Sequence, residues 1–597
     1  MNKTEKIAVA ILFALLLGWG FVQKSLFPAR TPETADPTNL VAQATAATGD
    51  VQQASLQAPP AAQQAPPAAA PAETTPSARA SDAPAPGIER GPEKTLTLTN
   101  GATEIVVSSW GGGVVEARLL QYRATIEKDS GPLVLDMRAR PALSLRDLPG
   151  LSADAEFLLE PLPGATGAVL TATTPDGLRL VRTLTLAGDY SVEVRDVFSA
   201  PAAAPAALPE YGMVVGNVQA TSADSQRGYS YLGIDTMPDL ASQDVVHWGK
   251  KRLPGLFGAG GGALSCLRQN TVVMPPEVAH RAGLPVAWAA VKSKFFTQIL
   301  QPETAATDCE LYATRRTEGV RGLELSEVWA TLRLPPRLLE AGQTLERSAA
   351  YYIGPKKYSV LRALGNRQVE VMELGWWAWF RWVCVTLLRT LNAIHAVIPN
   401  YGVAVILLTI LVKVLFWPLT HKSTESAKRM QQIQPLAAEL REKYKSQPQK
   451  LQQAQMQLYR EHGINPMASC LPMLVQLPIF IALFTVLRSA IELRFANFLW
   501  VADLSAPENL FAGMLPIPLN ILPLIMTVTM VIQQKLTPTG GDPQQQKMMM
   551  LIMPVMMLFM LYNMASGLML YWSVSQILSI VQLLHQRRLG RRKEATA

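Results

Sequence analysis

The sequence is poor in charge and cysteine, and it lacks the short motifs of the commonest enzyme sites. Only 17% of its 597 residues are charged, whereas 49% are hydrophobic. It has no zinc-type spacing of cysteine and histidine and no phosphate-cradling glycine-rich loop. Its soluble region shows no clustered carboxylates and no nucleophile with a base. We therefore expect a protein that is not an enzyme and that needs no cofactor or metal.

Cysteine is scarce, with four residues in the chain. Cys384 and Cys470 lie in apolar segments and are most simply small hydrophobic side chains. Cys266 and Cys309 lie in the region that we place outside the cytoplasm, where a disulfide is chemically permitted. The sequence leaves both the paired and the unpaired state of these two open.

The N-terminal apolar run shows no signal-peptide cleavage site after it. The segment that follows has almost no large apolar residues. Lys3 and Lys6 precede an apolar run from Ile7 to Val22, and no small-x-small site follows it. Residues 1–27 are therefore predicted to be an uncleaved transmembrane anchor. Residues 28–93 consist mainly of Ala, Pro, Gln, Thr and Ser, which cannot bury enough surface to offset the entropy of ordering. They are predicted to be a disordered linker.

Residues 94–355 have the two-residue period of half-buried strands, as in Thr95 to Thr99 and Leu178 to Leu186. Turn residues recur between these runs, which predicts a large twisted β-sandwich. A sugar-binding or enzymatic role is conceivable for such a domain. Because no catalytic constellation supports one, a structural or docking role is favoured.

Residues 373–399 are predicted to form an amphipathic helix that lies along the membrane surface. A helical period of 100° per residue separates an apolar arc from a basic one. Trp376, Trp377 and Trp382 would sit at the level of the lipid headgroups. The apolar arc contains Trp379, Phe380, Val383, Leu387, Leu391, Ile394 and Ile398, and the polar arc contains Arg381, Arg389, Asn392 and His395.

Long apolar runs follow residue 400 and predict an α-helical membrane protein with a five-helix core over residues 400–585. The expected spans are about 401–420, 467–487, 519–533, 548–562 and 568–584, with a cytoplasmic helical hairpin at 421–466 and a basic cytoplasmic tail at 586–597. Two helical patterns in the hairpin flank a break at Gln447–Pro448. Lysine and arginine crowd into the hairpin and the tail. This asymmetry predicts that both termini are cytoplasmic and that the β domain lies on the opposite side.

One charge interrupts the first core span. Lys413 lies in the second half of the apolar stretch from Tyr401 to Leu419, where an unrelieved charge costs roughly 2.5 kcal/mol or more. Its side chain either snorkels toward the headgroups or lines a water-filled cavity, and the residue alone does not distinguish the two. Other spans also carry polar side chains, namely Thr409, Gln476, Ser573, Ser575 and Gln576.

These polar groups, several proline-distorted helices and the methionine-rich stretch at 548–562 predict a hydrated groove beside an adaptable apolar face. Such a surface favours transient binding of polypeptide over passage of a small solute. The alternatives are a channel or small-solute transporter, and an assembly factor that acts mainly through the β domain. No pair of inverted, glycine-interrupted half-helices supports a transporter.

Several local stretches, in this order of domains, resemble those of the YidC-type membrane protein insertases of Gram-negative bacteria. The matching stretches are Tyr352 to Lys356, Phe416 to Thr420, Gly463 to Pro466 with Cys470 to Pro472, Gln476 to Phe480, and Ser566 to Leu568 with Leu570 to Trp572. The resemblance covers nearly the whole chain. Each stretch is weak by itself, but as a set they are specific.

The resemblance implies an inner-membrane insertase with a periplasmic β domain and a groove that opens to the cytoplasm and the lipid. The groove's cation is usually an arginine in the family, whereas here the matching residue is Lys413, which offers a point charge and no bidentate fork. Thr409, Gln476 and Trp572 match its neighbours, and Ser575 completes the expected client groove.

The implied partners are nascent membrane proteins, the Sec translocon, the ribosome and anionic lipids, with no small-molecule substrate and no bound nucleotide. The basic tail suits RNA or anionic lipid electrostatically. The expected contacts there are Arg587, Arg588, Arg591, Arg592 and Lys593.

Overall fold

The computed structural model describes most of the chain after residue 91. The described residues are 92–596 apart from gaps at 221–224, 227–228, 240–243, 250–270, 274–279, 317–323, 376, 419, 421–424, 426–428, 431, 445–446, 464–470, 515–517 and 537–542. The predicted anchor at 1–27 and nearly all of the predicted linker at 28–93 fall outside them. So does Cys266, whose pairing with Cys309 the sequence left open.

Residues 95–355 form the β domain, in which each pairing between the described strands is antiparallel except that of β15 with β16. A ten-stranded sheet has the order β16-β15-β14-β18-β19-β23-β9-β8-β7-β6, with β6 (Leu158–Pro161), β7 (Gly167–Thr173), β8 (Arg179–Leu186), β9 (Ser191–Ser199), β14 (Gly233–Pro238), β15 (Val246–Gly249), β16 (Thr271–Val273), β18 (Val286–Lys292), β19 (Phe296–Pro302) and β23 (Thr344–Pro355). A five-stranded sheet has the order β17-β20-β21-β11-β5, with β5 (Leu145–Arg146), β11 (Tyr211–Gln219), β17 (His280–Arg281), β20 (Asp308–Arg316) and β21 (Glu324–Leu334).

Smaller sheets complete the domain. The first four strands, β1 (Thr95–Thr99), β2 (Thr103–Ser108), β3 (Val114–Arg123) and β4 (Pro132–Asp136), form a meander in chain order. Two further pairs are β10 (Ala206–Leu208) with β22 (Arg337–Leu339), and β12 (Ser225–Gln226) with β13 (Tyr229–Ser230).

The two large sheets form a sandwich because alternate residues of their strands point into one apolar core. Leu300 and Val194 of the ten-stranded sheet and Leu311 and Val328 of the five-stranded sheet belong to the same buried cluster. Alternation along β18 shows the second face of the large sheet. There Ala289 points into the sandwich, whereas its neighbour Trp288 points into a separate cluster that continues into the helices. The predicted β-sandwich is confirmed.

The helices follow the β domain. They are α1 (Tyr358–Ala363), a 3₁₀ helix (Gln368–Met372), α2 (Ala378–Val397), α3 (Tyr401–Leu415), α4 (Gln434–Lys443), α5 (Pro448–Glu461), α6 (Leu471–Ser489), a 3₁₀ turn (Ile491–Leu493), α7 (Ile521–Leu536), α8 (Pro543–Leu561) and α9 (Ser566–Thr596). Within the described residues, Ser566–Gln586 is the single helical stretch that is long and apolar enough to cross a membrane unaided. Tyr401–Leu415, Gln476–Ser489, Ile521–Leu536 and Ile552–Leu561 are shorter apolar helices.

The helix ends differ from the predicted spans for local reasons. The span expected at 401–420 is regular only as far as Leu415, because the ring of Pro418 conflicts with the carbonyl of the preceding turn. The connection expected at 533–547 is shorter, because the glutamine-rich flanks continue α7 to Leu536 and begin α8 at Pro543. The basic tail at 586–597 is helical as far as Thr596, as part of α9.

The amphipathic helix expected at 373–399 begins later, at Ala378. Gly375 has a φ of 116°, which is incompatible with a continuous helix from residue 373. The helix α2 packs against α3 and α6, and its buried side chains include Phe380, Cys384, Leu388 and Leu391. Trp379 and Ile398 of the predicted apolar arc are exposed, as is Trp382.

Two short helices form the described part of the hairpin expected at 421–466. Ile433 and Ala437 of the α4 side meet Leu458 of α5 in a small apolar core. The helix α5 begins at Pro448, the point at which the sequence predicts a break. Proline suits the first helical position because it has no N–H group to leave unpaired there.

Candidate functional site

The predicted groove residues come from three helices that meet in the helical core. Lys413 lies on α3, Gln476 on α6, and Trp572 and Ser575 on α9. The helix α9 packs against both α3 and α6, which brings these side chains to one junction. The start of α3 is fixed by Asn400, whose side chain accepts a hydrogen bond from the Val403 N–H group at 3.1 Å.

Lys413 points toward α9. Its Nζ donates to Ser579 Oγ at 2.9 Å, in a partly buried position. The adjacent side chains of Leu411, Val414 and Leu415 are apolar and exposed. The ammonium therefore lies against a hydroxyl on the neighbouring helix, between surfaces that only lipid or another apolar partner would cover favourably.

A line of polar groups continues from this contact into α6. The Ser579 hydroxyl donates to the Ser575 carbonyl at 2.9 Å, and Gln476 Nε2 donates to Ser575 Oγ at 3.4 Å. Gln576 Oε1 is buried and has no hydrogen-bond partner among the described residues. A buried polar atom of this kind requires water or a polar ligand to satisfy it.

Two of the predicted groove residues, Trp572 and Thr409, do not take part in these polar contacts. The indole of Trp572 packs edge-on against Phe480, with ring centroids 4.6 Å apart, and so joins α9 to α6. Thr409 is fully buried, and its hydroxyl donates to the Val405 carbonyl of its own helix at 2.7 Å. Thr409 is therefore already satisfied, and the structure does not aim its hydroxyl at the other polar groups.

Ser579 and Gln582 were not among the predicted residues. Gln582 Nε2 donates to Thr420 Oγ1 at 3.0 Å, so that α9 carries polar contacts on both sides of Lys413. Ser575, Ser579 and Gln582 are separated by four and three residues, which places them on one face of a helix. Polar residues that recur at this spacing in an otherwise apolar run could have identified Ser579 and Gln582 from the sequence.

The basic residues of the predicted tail lie on the last turns of α9. Among them Arg588 is exposed, and it is the one whose side chain the structure describes. Arg587, Arg591, Arg592 and Lys593 belong to the same helix by their backbone, which runs to Thr596.

Two side chains of the β domain and one that follows the 3₁₀ helix bring three possible metal ligands close together. The ligand atoms of Asp235, His247 and Glu373 lie within 4.8 Å of one another. Lys292 Nζ donates to Asp235 and to Glu373 at 2.5 Å, so an ammonium already supplies the positive charge between the two carboxylates. These bonds connect Glu373, which follows the 3₁₀ helix, to Asp235 and Lys292 of the ten-stranded sheet. We therefore assign a structural role to this group of side chains.

Family models match both halves of the chain. Residues 95–384 match the YidC periplasmic domain, and residues 393–593 match the 60Kd inner membrane protein family. The first match covers the β domain and continues into α2. The second covers the helical core with Lys413 and the polar groups of α9.

Relatives match over nearly their whole length. The membrane protein insertase YidC of Nitratidesulfovibrio vulgaris is 30% identical over 97% of this chain and 98% of the relative. That of Syntrophus aciditrophicus is 31% identical over 98% of each chain. That of Pelobacter propionicus is 42% identical over a shorter part, which spans 51% of this chain and 54% of the relative.

Several solved structures are similar to this chain, among them an insertase and an epimerase. An active YidC insertase with its first transmembrane domain resolved covers 82% of this chain and 92% of its own, with 18% identity and a TM-score of 0.33. A protein of Escherichia coli K12 that is described as an aldose 1-epimerase covers 44% of this chain and 99% of its own, with 11% identity and a TM-score of 0.30. The near full-length relatives and the two family models agree with each other, and the chain belongs to the YidC family of membrane protein insertases.

Proposed function

We propose that the helical core inserts membrane proteins through a hydrophilic groove that carries Lys413, without nucleotide hydrolysis. Insertion of nascent membrane proteins is the function of the family. The groove is supported by one observation, the line of polar contacts from Lys413 through Ser579 and Ser575 to Gln476 between apolar helices. Trp572 and Gln576 lie on the same helix as Ser575, and Thr409 lies one turn before Lys413.

The groove would act on the barrier to insertion. Polar residues of a client lose hydration when they enter a low-dielectric layer, and each unsatisfied group costs several kcal/mol there. Hydroxyl, amide and ammonium groups at the junction would replace part of that hydration. Partitioning of the client's apolar helix into lipid would then provide the driving force.

The orientation of the chain is part of the proposal. The α4–α5 hairpin and the end of α9 carry most of the basic residues of the helical core, which favours the cytoplasm for both. The β domain would then be periplasmic and both termini cytoplasmic, in an inner-membrane protein. The helix α2, with Trp382 exposed, would lie at the membrane surface on the side of the β domain.

The partners would be nascent membrane proteins, the Sec translocon, the ribosome and anionic lipids. Contacts with the ribosome or with lipid are assigned to the end of α9. Positive charge there attracts RNA and anionic headgroups alike, and salt weakens both attractions. The residues concerned are Arg587, Arg588, Arg591, Arg592 and Lys593.

Depletion of the protein in its own host tests the function directly. We expect clients with one or two spans to accumulate outside the membrane and to become sensitive to cytoplasmic protease, with recovery when the wild-type chain is restored. A channel or transporter would instead show its defect as altered solute flux in reconstituted vesicles, with insertion unchanged. That second pattern would reject the proposal.

Ser579→Ala tests the groove by removing the hydroxyl that Lys413 contacts. This hydroxyl is one of the groups that would replace a client's lost hydration, and a hydrogen bond of this kind contributes about 0.5–1.5 kcal/mol, so we expect client insertion to slow by roughly threefold. Insertion is measured by protease protection of a radiolabelled client in inner-membrane vesicles. The matched control is Ser489→Ala, because that hydroxyl donates only to the Thr485 carbonyl of its own helix. Equal effects of the two variants would contradict a specific role for Ser579.

A further inference from the structure

The connection between α6 and α7 exposes large apolar side chains that nothing among the described residues covers. Leu499 is 74% exposed and Met514 is 81% exposed, and Trp500 and Phe511 are exposed with them. We call these four residues the apolar tip. Single exposed apolar residues are common, but four large ones in one connection call for a partner.

Two residues of the apolar tip have an unusual backbone conformation. Leu499 has a φ of 50° and Phe511 a φ of 57°, a left-handed conformation that residues with a side chain seldom adopt. Such a conformation persists only when the surrounding contacts impose it. At Phe511 they do, because Leu510 and Leu519 exchange two backbone hydrogen bonds of 2.9 Å around the turn. The exposure of Phe511 is therefore built into the fold.

The tip is joined directly to the ends of two helices of the core. Trp500 Nε1 donates to Glu508 at 3.0 Å, and the same carboxylate accepts the N–H groups of Ile521 and Leu522 at the start of α7. Asn520 in turn donates to the Tyr562 carbonyl, just after the end of α8, at 2.8 Å. The apolar tip therefore lies at the level where α7 begins and α8 ends.

Charge and length identify the partner as lipid. The sequence has no charged residue from Asn509 to Gln534, and the carboxylate of Glu508 is satisfied by the start of α7. The helix α7 has 16 residues, or about 24 Å of helix, which is short of the hydrocarbon thickness of about 30 Å. Apolar side chains just before α7 would supply the missing thickness. Tryptophan beside them suits the headgroup level.

The tip lies on the same side of the core as the β domain. Arg494, which follows α6, donates to the Arg123 carbonyl at 2.8 Å, and Lys294 Nζ donates to the Ser505 carbonyl at 2.9 Å. We propose that the apolar tip is a membrane anchor, which inserts Leu499, Phe511 and Met514 into the lipid leaflet beneath the β domain. The anchor rests on the membrane placement of the helical core but not on the client groove.

Photo-crosslinking of the full chain tests the anchor. The photoreactive residue p-benzoylphenylalanine is placed at Leu499 or at Met514, and the protein is reconstituted into vesicles of phosphatidylethanolamine and phosphatidylglycerol. After irradiation, mass spectrometry measures the fraction of protein that carries a lipid adduct. Leu158 on β6 and Leu338 on β22 are matched controls, because they are exposed leucines (58% and 69%) of the β domain. We expect at least about fivefold more adduct at the tip, since its side chains would lie among acyl chains.

Phe559 on α8, which is 81% exposed, is a control for membrane embedding. A lipid adduct formed at Phe559 in the same vesicles shows that the helical core lies in the membrane. Lipid adducts at Phe559 with only control levels at Leu499 and Met514 would overturn the anchor. So would an adduct of the tip with a protein instead of lipid in native membranes, which would indicate a docking surface. A lack of lipid adduct at Phe559 itself would overturn the membrane placement of the core, and the anchor with it.

Discussion

Insertion of a client with an acidic leading segment should fall by at least about tenfold in the Lys413→Glu variant. Two unit charges about 4 Å apart interact by about 4 kcal/mol at an effective dielectric constant of 20, and the substitution turns attraction into repulsion. A factor of ten requires only about 1.4 kcal/mol, so the effect remains large after screening by water in the groove. The rate of protease protection in inner-membrane vesicles gives the measurement.

Three controls separate the charge of Lys413 from its other properties. Lys413→Arg keeps the charge and should retain insertion, because the proposal requires a positive charge and no particular geometry. Lys413→Gln should fall between the wild type and Lys413→Glu. A client whose leading acids are replaced by lysine should reverse the order of the variants. Equal insertion of the acidic client by wild type and Lys413→Glu would reject the electrostatic role.

Arg182→Met should lower the free energy of unfolding of the β domain by about 3–5 kcal/mol, because it leaves the Asp196 carboxylate buried without a counter-ion. Arg182 and Asp196 face each other on β8 and β9, and neither is accessible to solvent. Two bonds of 2.7 Å join them, and the guanidinium also donates to the carbonyls of Gly112 and Leu143. For a domain of this size the unfolding midpoint should fall by roughly 6–20 °C, measured by calorimetry on the full chain.

The matched control is the residue on β9 next to Asp196. Arg195 on β9 makes two similar bonds to Glu346 on β23, but both side chains are largely exposed. Water and salt screen such a pair, so Arg195→Met should leave the midpoint nearly unchanged. The double variant Arg182→Met with Asp196→Leu should recover part of the loss, since no unpaired charge remains. A midpoint for Arg182→Met equal to that of Arg195→Met would contradict this account.

Features that depend on neighbouring residues were predictable from the sequence. The alternation in residues 178–186 became β8, and the break before Pro448 became the start of α5. The ends of the core helices were less predictable, because glutamine-rich flanks have enough helix propensity to extend α7 and α8. Gly375 shortened α2 through a backbone conformation that sequence periodicity does not report.

The candidate site was predictable only in part. Lys413 was conspicuous because a charge in an apolar run is costly, and Gln476 and Ser575 followed from polarity and resemblance. Ser579, the residue that Lys413 contacts, was missed because serine is common in membrane helices and its partner is 166 residues away in the chain. Thr409 was included, but its hydroxyl is bonded within its own helix.

The sequence by itself determined the division into a β domain and a helical core, the apolar character of the core helices, and the presence of a charge within one of them. These properties follow from composition and from periods of two and 3.6 residues, which each segment carries alone. Only the tertiary structure decided which polar groups meet Lys413, how Arg182 is paired, and that the apolar tip lies at the ends of α7 and α8. Such contacts join residues that are distant in the chain, and they depend on how helices and sheets pack, which local patterns do not encode.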